Sequence, residues 1–305
     1  MSNDVMSDLK LLRFLQRHII FSTTNDICEI LSISAMYKLT KLDISCSNMI
    51  TLPSEIGNLI NLKYLNISGN NLTTLPPEIG NLTNLKKLDV SYNNLTTLPK
   101  EIGNLINLKN LILHTNNLIT LPPKIGKLTN LAKLYLSFNR LIDIPKEIGY
   151  LTKLRYLAIS ANYLMTLPKE ICNLTNLKYL NLNNNNILTI SPEICSLSKL
   201  KNLNLIGNSL STLPKEIWNL TNLTKLNLAF NDITTLPLGI DILPKKFFPE
   251  NLCKSYNESV EFRKAVKIIE RAWIKYDWAP NSEGIARCAL RSFRELQESN
   301  PEIFS

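Results

Sequence analysis

The chain has 305 residues, of which 45% are hydrophobic and 7% aromatic, and a formal net charge of +9. No run of about 18 apolar residues is present to suggest a membrane span, and the polar start from Met1 to Lys10 does not read as a signal peptide. Two histidines, six scattered cysteines and no Cys-x-x-Cys pair argue against a zinc site.

Residues 1–38 are expected to form an N-terminal helical cap. Within them residues 8–20 place Leu11, Leu12, Leu15 and Ile19 on one side of a helix, broadened by Leu9, Phe14 and Ile20. From Leu39 the chain repeats every 23 residues without insertion, and nine units begin at Leu39, Leu62, Leu85, Leu108, Leu131, Leu154, Leu177, Leu200 and Leu223. A fixed period of this size is the signature of a solenoid. The repeats are assigned to residues 39–245. In each unit Leu-x-x-Leu-x-Leu predicts a short strand with one inward face. The following Leu-Pro-x-Glu-Ile-Gly-x-Leu, as in Leu98 to Leu105, predicts a short helical or 3₁₀ return segment. Strands joined by equal return segments must run parallel. Asparagine holds one slot of every later unit, at Asn70, Asn93, Asn116, Asn139, Asn162, Asn185, Asn208 and Asn231, with Ser47 in the first. These amides are read as a structural ladder that satisfies backbone groups where the strand turns away. Residues 246–305 are expected to be a C-terminal helical cap or tail. One helix would start at Ser259 with Phe262, Val266, Ile269, Trp273 and Tyr276 on one side; after Pro280 a second would start near Ser282.

The text Leu-x-x-Leu-x-Leu-x-x-Asn-x-Leu-x-x-Leu-Pro-x-Glu-Ile-Gly-x-Leu, repeated over residues 39–243, resembles the leucine-rich repeat in its 23-residue intracellular form. It is similar to the repeats of plant Ras-group-related proteins and of the animal scaffold that joins Ras to a phosphatase, and to arrays in spirochaetes and giant DNA viruses. The resemblance implies an α/β, right-handed solenoid, or horseshoe. A parallel sheet would line its concave face, short helical or 3₁₀ segments its convex face, and helical caps its ends. It also implies a protein that works by binding other proteins. The chain departs from the pattern in two ways. Proline slips by one position in Ser191-Pro192-Glu193, and the slot of Gly57, Gly80, Gly103, Gly126 and Gly149 passes to Cys172, Cys195, Trp218 and Asp241. A change of outer curvature is expected there. Cys172 and Cys195 lie one period apart. Their spacing permits a disulfide, and in a reducing cytosol they would be two small buried thiols.

Strand residues that point away from the core form the concave face, which extends roughly 38 Å for eight gaps of about 4.8 Å. The expected partner-binding set there is Tyr92, Ile112, His114, Lys133, Tyr135, Phe138, Tyr156, Tyr163 and Tyr179, since clustered exposed aromatics serve as interface anchors. A basic edge of Lys63, Lys86, Lys109, Arg155, Lys178 and Lys201 runs beside it and would suit an acidic protein surface. The low charge density and the absence of a recognition motif argue against nucleic acid. No Gly-rich phosphate loop, G-x-S-x-G or pair of neighbouring histidines offers catalysis a foothold. No cofactor and no metal is expected. The sequence thus points to a non-catalytic, intracellular and cytoplasmic scaffold or adaptor, monomeric, binding another protein on its concave face; were the source viral, it would work in the host cytoplasm. The alternative is a regulatory subunit of a ubiquitin ligase, phosphatase or small-GTPase complex, with the C-terminal helices docking the enzyme.

Overall fold

The computed structural model describes residues 3–19, 33–233 and 237. The expected C-terminal helices, and the last residues assigned to the repeats, lie outside that range. Helix α1 (Asn3–Ile19) and a short helix α2 (Ile33–Tyr37) precede nine strands of three residues each. These are β1 (Lys41–Asp43), β2 (Tyr64–Asn66), β3 (Lys87–Asp89), β4 (Asn110–Ile112), β5 (Lys133–Tyr135), β6 (Tyr156–Ala158), β7 (Tyr179–Asn181), β8 (Asn202–Asn204) and β9 (Lys225–Asn227). They form one sheet in chain order, every pair parallel, with each residue opposite the one 23 positions later, as in Tyr64↔Lys87. Eight 3₁₀ turns, from Ser54–Asn58 to Lys215–Asn219, carry the chain back between strands. The expected solenoid of parallel strands and 3₁₀ segments is what the molecule adopts.

The leucine slots explain the stacking. The middle residue of each strand, the residue two positions on, and the Ile and Leu of each return segment all point inward; Leu88, Val90, Ile102 and Leu105 are fully buried in one such turn. Each turn presents apolar faces that only its neighbours can cover, so stability accumulates turn by turn. At the first end Leu11, Leu15 and Met36 are fully buried and continue this core, while Lys10 Nζ reaches Glu55 at 2.7 Å and the Tyr37 hydroxyl donates to Asp8. Helix α1 begins earlier than the predicted residue 8.

The buried asparagines knit adjacent turns together. Asn93 Oδ1 accepts from the Leu72 amide of the preceding turn at 3.0 Å. Its Nδ2 donates to the Ile67 carbonyl of that turn at 3.0 Å and to Val90 of its own turn at 3.1 Å. The pattern recurs at Asn139, whose partners are Leu118, Leu113 and Leu136, and at Asn208, whose partners are Ile187, Leu182 and Leu205. A second amide row, not anticipated from the sequence, runs along the opposite edge: Asn84, Asn107 and Asn130 each donate to a carbonyl 24 residues earlier, at 2.9 to 3.0 Å.

The return segments pack so closely that glycine is required. A Cβ on Gly57, Gly80, Gly103, Gly126 or Gly149 would stand 2.4 to 2.7 Å from a carbonyl oxygen of the next turn. Cys172 fills the same slot with a buried side chain, so the turn of Glu193 that it faces must stand further apart; Trp218, also buried there, donates its indole N–H to the Pro237 carbonyl at 3.1 Å. The shifted proline changes little: Ser191 adopts φ −63° and ψ 139°, close to the −64° and 138° of Pro168, and Pro192 takes the first helical position, as Pro77 and Pro123 do.

Three stability outcomes are expected. Asn139→Ala should cost about 1–3 kcal/mol for each buried group left unpaired, read as a lower denaturant midpoint. Gly103→Ala should cost about 1–3 kcal/mol through overpacking against the Lys124 carbonyl, whereas Gly207→Ala, on the other side of the turn, should add backbone strain at its φ of +64° to displacement of the Asn184 side chain, whose Oδ1 lies 2.4 Å from where the Cβ would stand.

Candidate protein-binding face

The outward residues of the nine strands divide into three zones. Over β1–β3 the face is charged and internally satisfied. Lys87 Nζ donates to the Tyr64 hydroxyl at 3.2 Å and stands 4.9 Å from its ring centre, Asp43 and Asp89 each accept from a serine hydroxyl at 2.7 Å, and Asn66 donates to Asp43 at 3.0 Å. Over β7–β9 the same positions are mainly amides, Asn181, Asn202, Asn204 and Asn227, with Tyr179 at the near side and Lys225 at the far end. Between these zones the face is aromatic.

Exact register builds the aromatic zone. Lys133, Tyr156 and Tyr179 are aligned across β5–β7, and Ile112, Tyr135 and Ala158 across β4–β6. The rings of Tyr135 and Tyr156 stack with centroids 4.9 Å apart and planes tilted by 36°; those of Tyr156 and Tyr179 are 5.8 Å apart and tilted by 37°. Offset contacts of this kind add about 0.5–1.5 kcal/mol per pair beyond area burial. Half-buried Tyr156 has its phenol pushed up from the usual tyrosine range by burial and by the neighbouring Tyr135, so it stays a neutral hydrogen-bond donor. Tyr179 remains exposed. Ala158, the smallest of these outward residues, is buried beside Tyr135 and leaves a step in the floor.

The other predicted residues sit elsewhere around the turn. Tyr92 and Phe138 occupy the bend where the chain leaves the sheet. That position has positive φ in all nine turns, from 52° at Tyr92 and Ala161 to 66° at Gly69. Bulky residues in this conformation are costly, by roughly 1–2 kcal/mol, and Gly69 and Gly207 in the same column were its one signal in the sequence. Tyr92 meets His114 edge-to-face at 5.0 Å, and His114 Nδ1 lies 3.2 Å from the Thr115 hydroxyl. Tyr163 lies further along, past the buried Asn162 and on the flank of the solenoid, apart from the tyrosine stack. The basic edge is ordered by its backbone: the amide of Lys86 donates to Lys63, Lys109 to Lys86, Lys178 to Arg155 and Lys201 to Lys178, at 2.8 to 2.9 Å. These side chains therefore line up one turn apart, interrupted by Ala132, and none of the six is in an ion pair among the described residues.

A leucine-rich repeat region model matches residues 19–167, and a leucine rich repeat model matches residues 175–233. The chain belongs to the leucine-rich repeat family. Among solved structures it is similar to a leucine-rich repeat protein of Leptospira interrogans, at 40% identity and TM-score 0.58, over 70% of this chain and 60% of that one. It is also similar to the ectodomain of the Arabidopsis thaliana membrane receptor kinase GASSHO1/SCHENGEN3 in complex with Casparian strip integrity factor 2, at 34% identity and TM-score 0.59, over 63% of this chain and 24% of that one. An internalin of Listeria monocytogenes matches at 28% identity and TM-score 0.58, over 67% of this chain and 59% of that one. The chain thus spans less than two thirds of the length of each. No curated protein matches it in sequence. Among the described residues no helix is long and apolar enough to cross a membrane, and no group of potential ligands could hold a metal ion.

Of the cysteines among the described residues, Cys46, Cys172 and Cys195 are free thiols. Cys172 is buried, and burial first, then the nearby charge of Glu193, pushes its thiol up to about 11. Its proton is held through the range in which an unfolded thiol ionises, so native-state alkylation near pH 8 should label exposed Cys46 and spare Cys172, as read by peptide mass mapping. Because the raised value favours the protonated form, stability contributed by this thiol is present below about pH 8.5 and declines as pH rises toward 11.

Proposed function

We propose that the chain is a non-catalytic binding module, a scaffold or adaptor that holds a partner protein against the aromatic zone of its concave face. The observation that carries this reading is the stack of Tyr135, Tyr156 and Tyr179 on the outward face of three adjacent strands, at 4.9 and 5.8 Å. Rigid, preorganised rings offer large contact area at low entropic cost, which suits interface hot spots. Ile112, Lys133 and the Tyr92–His114 pair extend the surface on one side, and the amides of Asn181 and Asn204 on the other. The row from Lys63 to Lys201 would steer an acidic partner toward it and make association sensitive to salt. The family supports the class of function, and the receptor ectodomain among its structural neighbours was solved with a bound factor. Free thiols at Cys46, Cys172 and Cys195 support a reducing, cytoplasmic setting.

The test is quantitative affinity capture from the native cell with the wild-type chain and with Tyr135→Ala/Tyr156→Ala. A specific protein should be held by the wild type and lost from the double variant, while the variant's stability falls only by the two ring contacts, about 0.5–1.5 kcal/mol each. Equal recovery of every bound protein on the variant would remove the site.

A further inference from the structure

The flank that follows the buried asparagines carries a feature independent of the concave face. After each asparagine the chain runs extended past its neighbour: the amide of Arg140 donates to Leu118, Tyr163 to Leu141, Ile142 to Ile119 and Leu188 to Met165, at 2.9 to 3.2 Å. Side chains three positions past each asparagine therefore point outward in one row, a turn apart. In the second, third and eighth turns this slot holds Thr73, Thr96 and Ser211. In the fourth to seventh it holds Ile119, Ile142, Met165 and Leu188, which are 47%, 57%, 55% and 44% exposed. Three gaps of about 4.8 Å make this apolar row roughly 15 Å long, and exposed Tyr163 widens it. A contiguous exposed patch of this kind on a folded surface marks an interaction site.

Two charges select its occupant. One position past the asparagine, the first eight turns carry Asn48, Asn71, Asn94, Asn117, Tyr163, Asn186 or Ser209, but Arg140 in the fifth, while Asp232 stands there in the ninth, beyond the apolar row; four positions past it they carry threonine in the other turns from the first to the eighth, but Asp143 in the fifth. The two opposite charges thus flank the row on its two sides at Ile142. Both are exposed, and neither is in an ion pair among the described residues. A two-fold axis lying along the row lays this surface on its own copy turn for turn. It reverses the two sides, so that each Arg140 meets the Asp143 of the second copy while the apolar residues meet their equivalents. We propose that this flank is a homodimer interface, the two solenoids side by side and parallel, with the row as its dry centre and two reciprocal Arg140–Asp143 pairs fixing the register. Its size places it among small, reversible interfaces. The inference departs from the monomer expected from sequence, and it does not depend on the concave face.

Sedimentation velocity on the full chain tests it. The wild type should dimerise reversibly below about 1 mM. Arg140→Asp alone and Asp143→Arg alone should each weaken the dimer about tenfold or more, because each sets two like-charged pairs face to face. An equimolar mixture of the two variants should regain association as a heterodimer, since every pair is then again of opposite sign. A wild type that stays monomeric to about 1 mM overturns the proposal. So does a dimer that is indifferent to the single reversals, or one that the mixture fails to restore.

Discussion

Stacking parallel turns creates a debt of unpaired backbone at every corner, and the rest of this molecule follows from how it is met. Where the strand bends away, the Leu118 amide and the Leu113 carbonyl have no neighbour in the sheet, and both are too deep for water. Asn139 supplies an acceptor to one and a donor to the other, and a donor to Leu136 besides. Because a buried polar group left without a partner costs about 1–3 kcal/mol, no apolar side chain could take that slot. The same amide also fixes the distance between turns, since it must reach both at about 3.0 Å. The apolar core holds the turns together, and the asparagines set how they align.

Exact alignment is what turns a repeated sequence into ordered surfaces. Once each residue stands opposite its equivalent 23 positions on, an outward column becomes a row of neighbours in space. Substitutions there are free of the core. Tyr156 and Tyr179 can therefore stack across strands although they are distant in sequence, and the lysines of the basic edge lie one turn apart rather than scattered. The glycine column shows the limit of that freedom: a carbonyl 2.4 Å from where a Cβ would stand leaves no choice at Gly103.

What the sequence made legible follows the same division. Leucine spacing and the asparagine period have a single physical meaning, so the strands, their direction and the return segments could be read directly. The tyrosines at outward strand positions could be placed as well, because alternation in a strand is unambiguous. Past the strand that logic fails. The positive φ shared by Tyr92, Phe138 and Phe230 has no periodic sign apart from Gly69 and Gly207. It sends those side chains to the rim of the sheet. The outward row of Ile119, Ile142, Met165 and Leu188 was likewise hidden, since its exposure depends on how extended segments pair across turns. In the sequence these residues look like further members of a leucine-rich text.

Two surfaces built on the same turns raise the question of whether they interfere, and the geometry of the solenoid answers it. The tyrosine stack belongs to β5–β7 and the apolar row to the flank of the fourth to seventh turns, so both rest on one rigid stretch of core. Yet they face different directions. A two-fold axis along the flank row reverses the direction from concave to convex face, so the two concave faces of such a dimer open to opposite sides. They cannot close on one epitope. They can hold two partners, or two sites on one large partner, and the second contact would then form at an effective concentration set by the dimer itself. A weak flank contact and a modest concave contact would in that case reinforce each other: binding a multivalent partner brings two chains together, and pairing of the chains slows the partner's release.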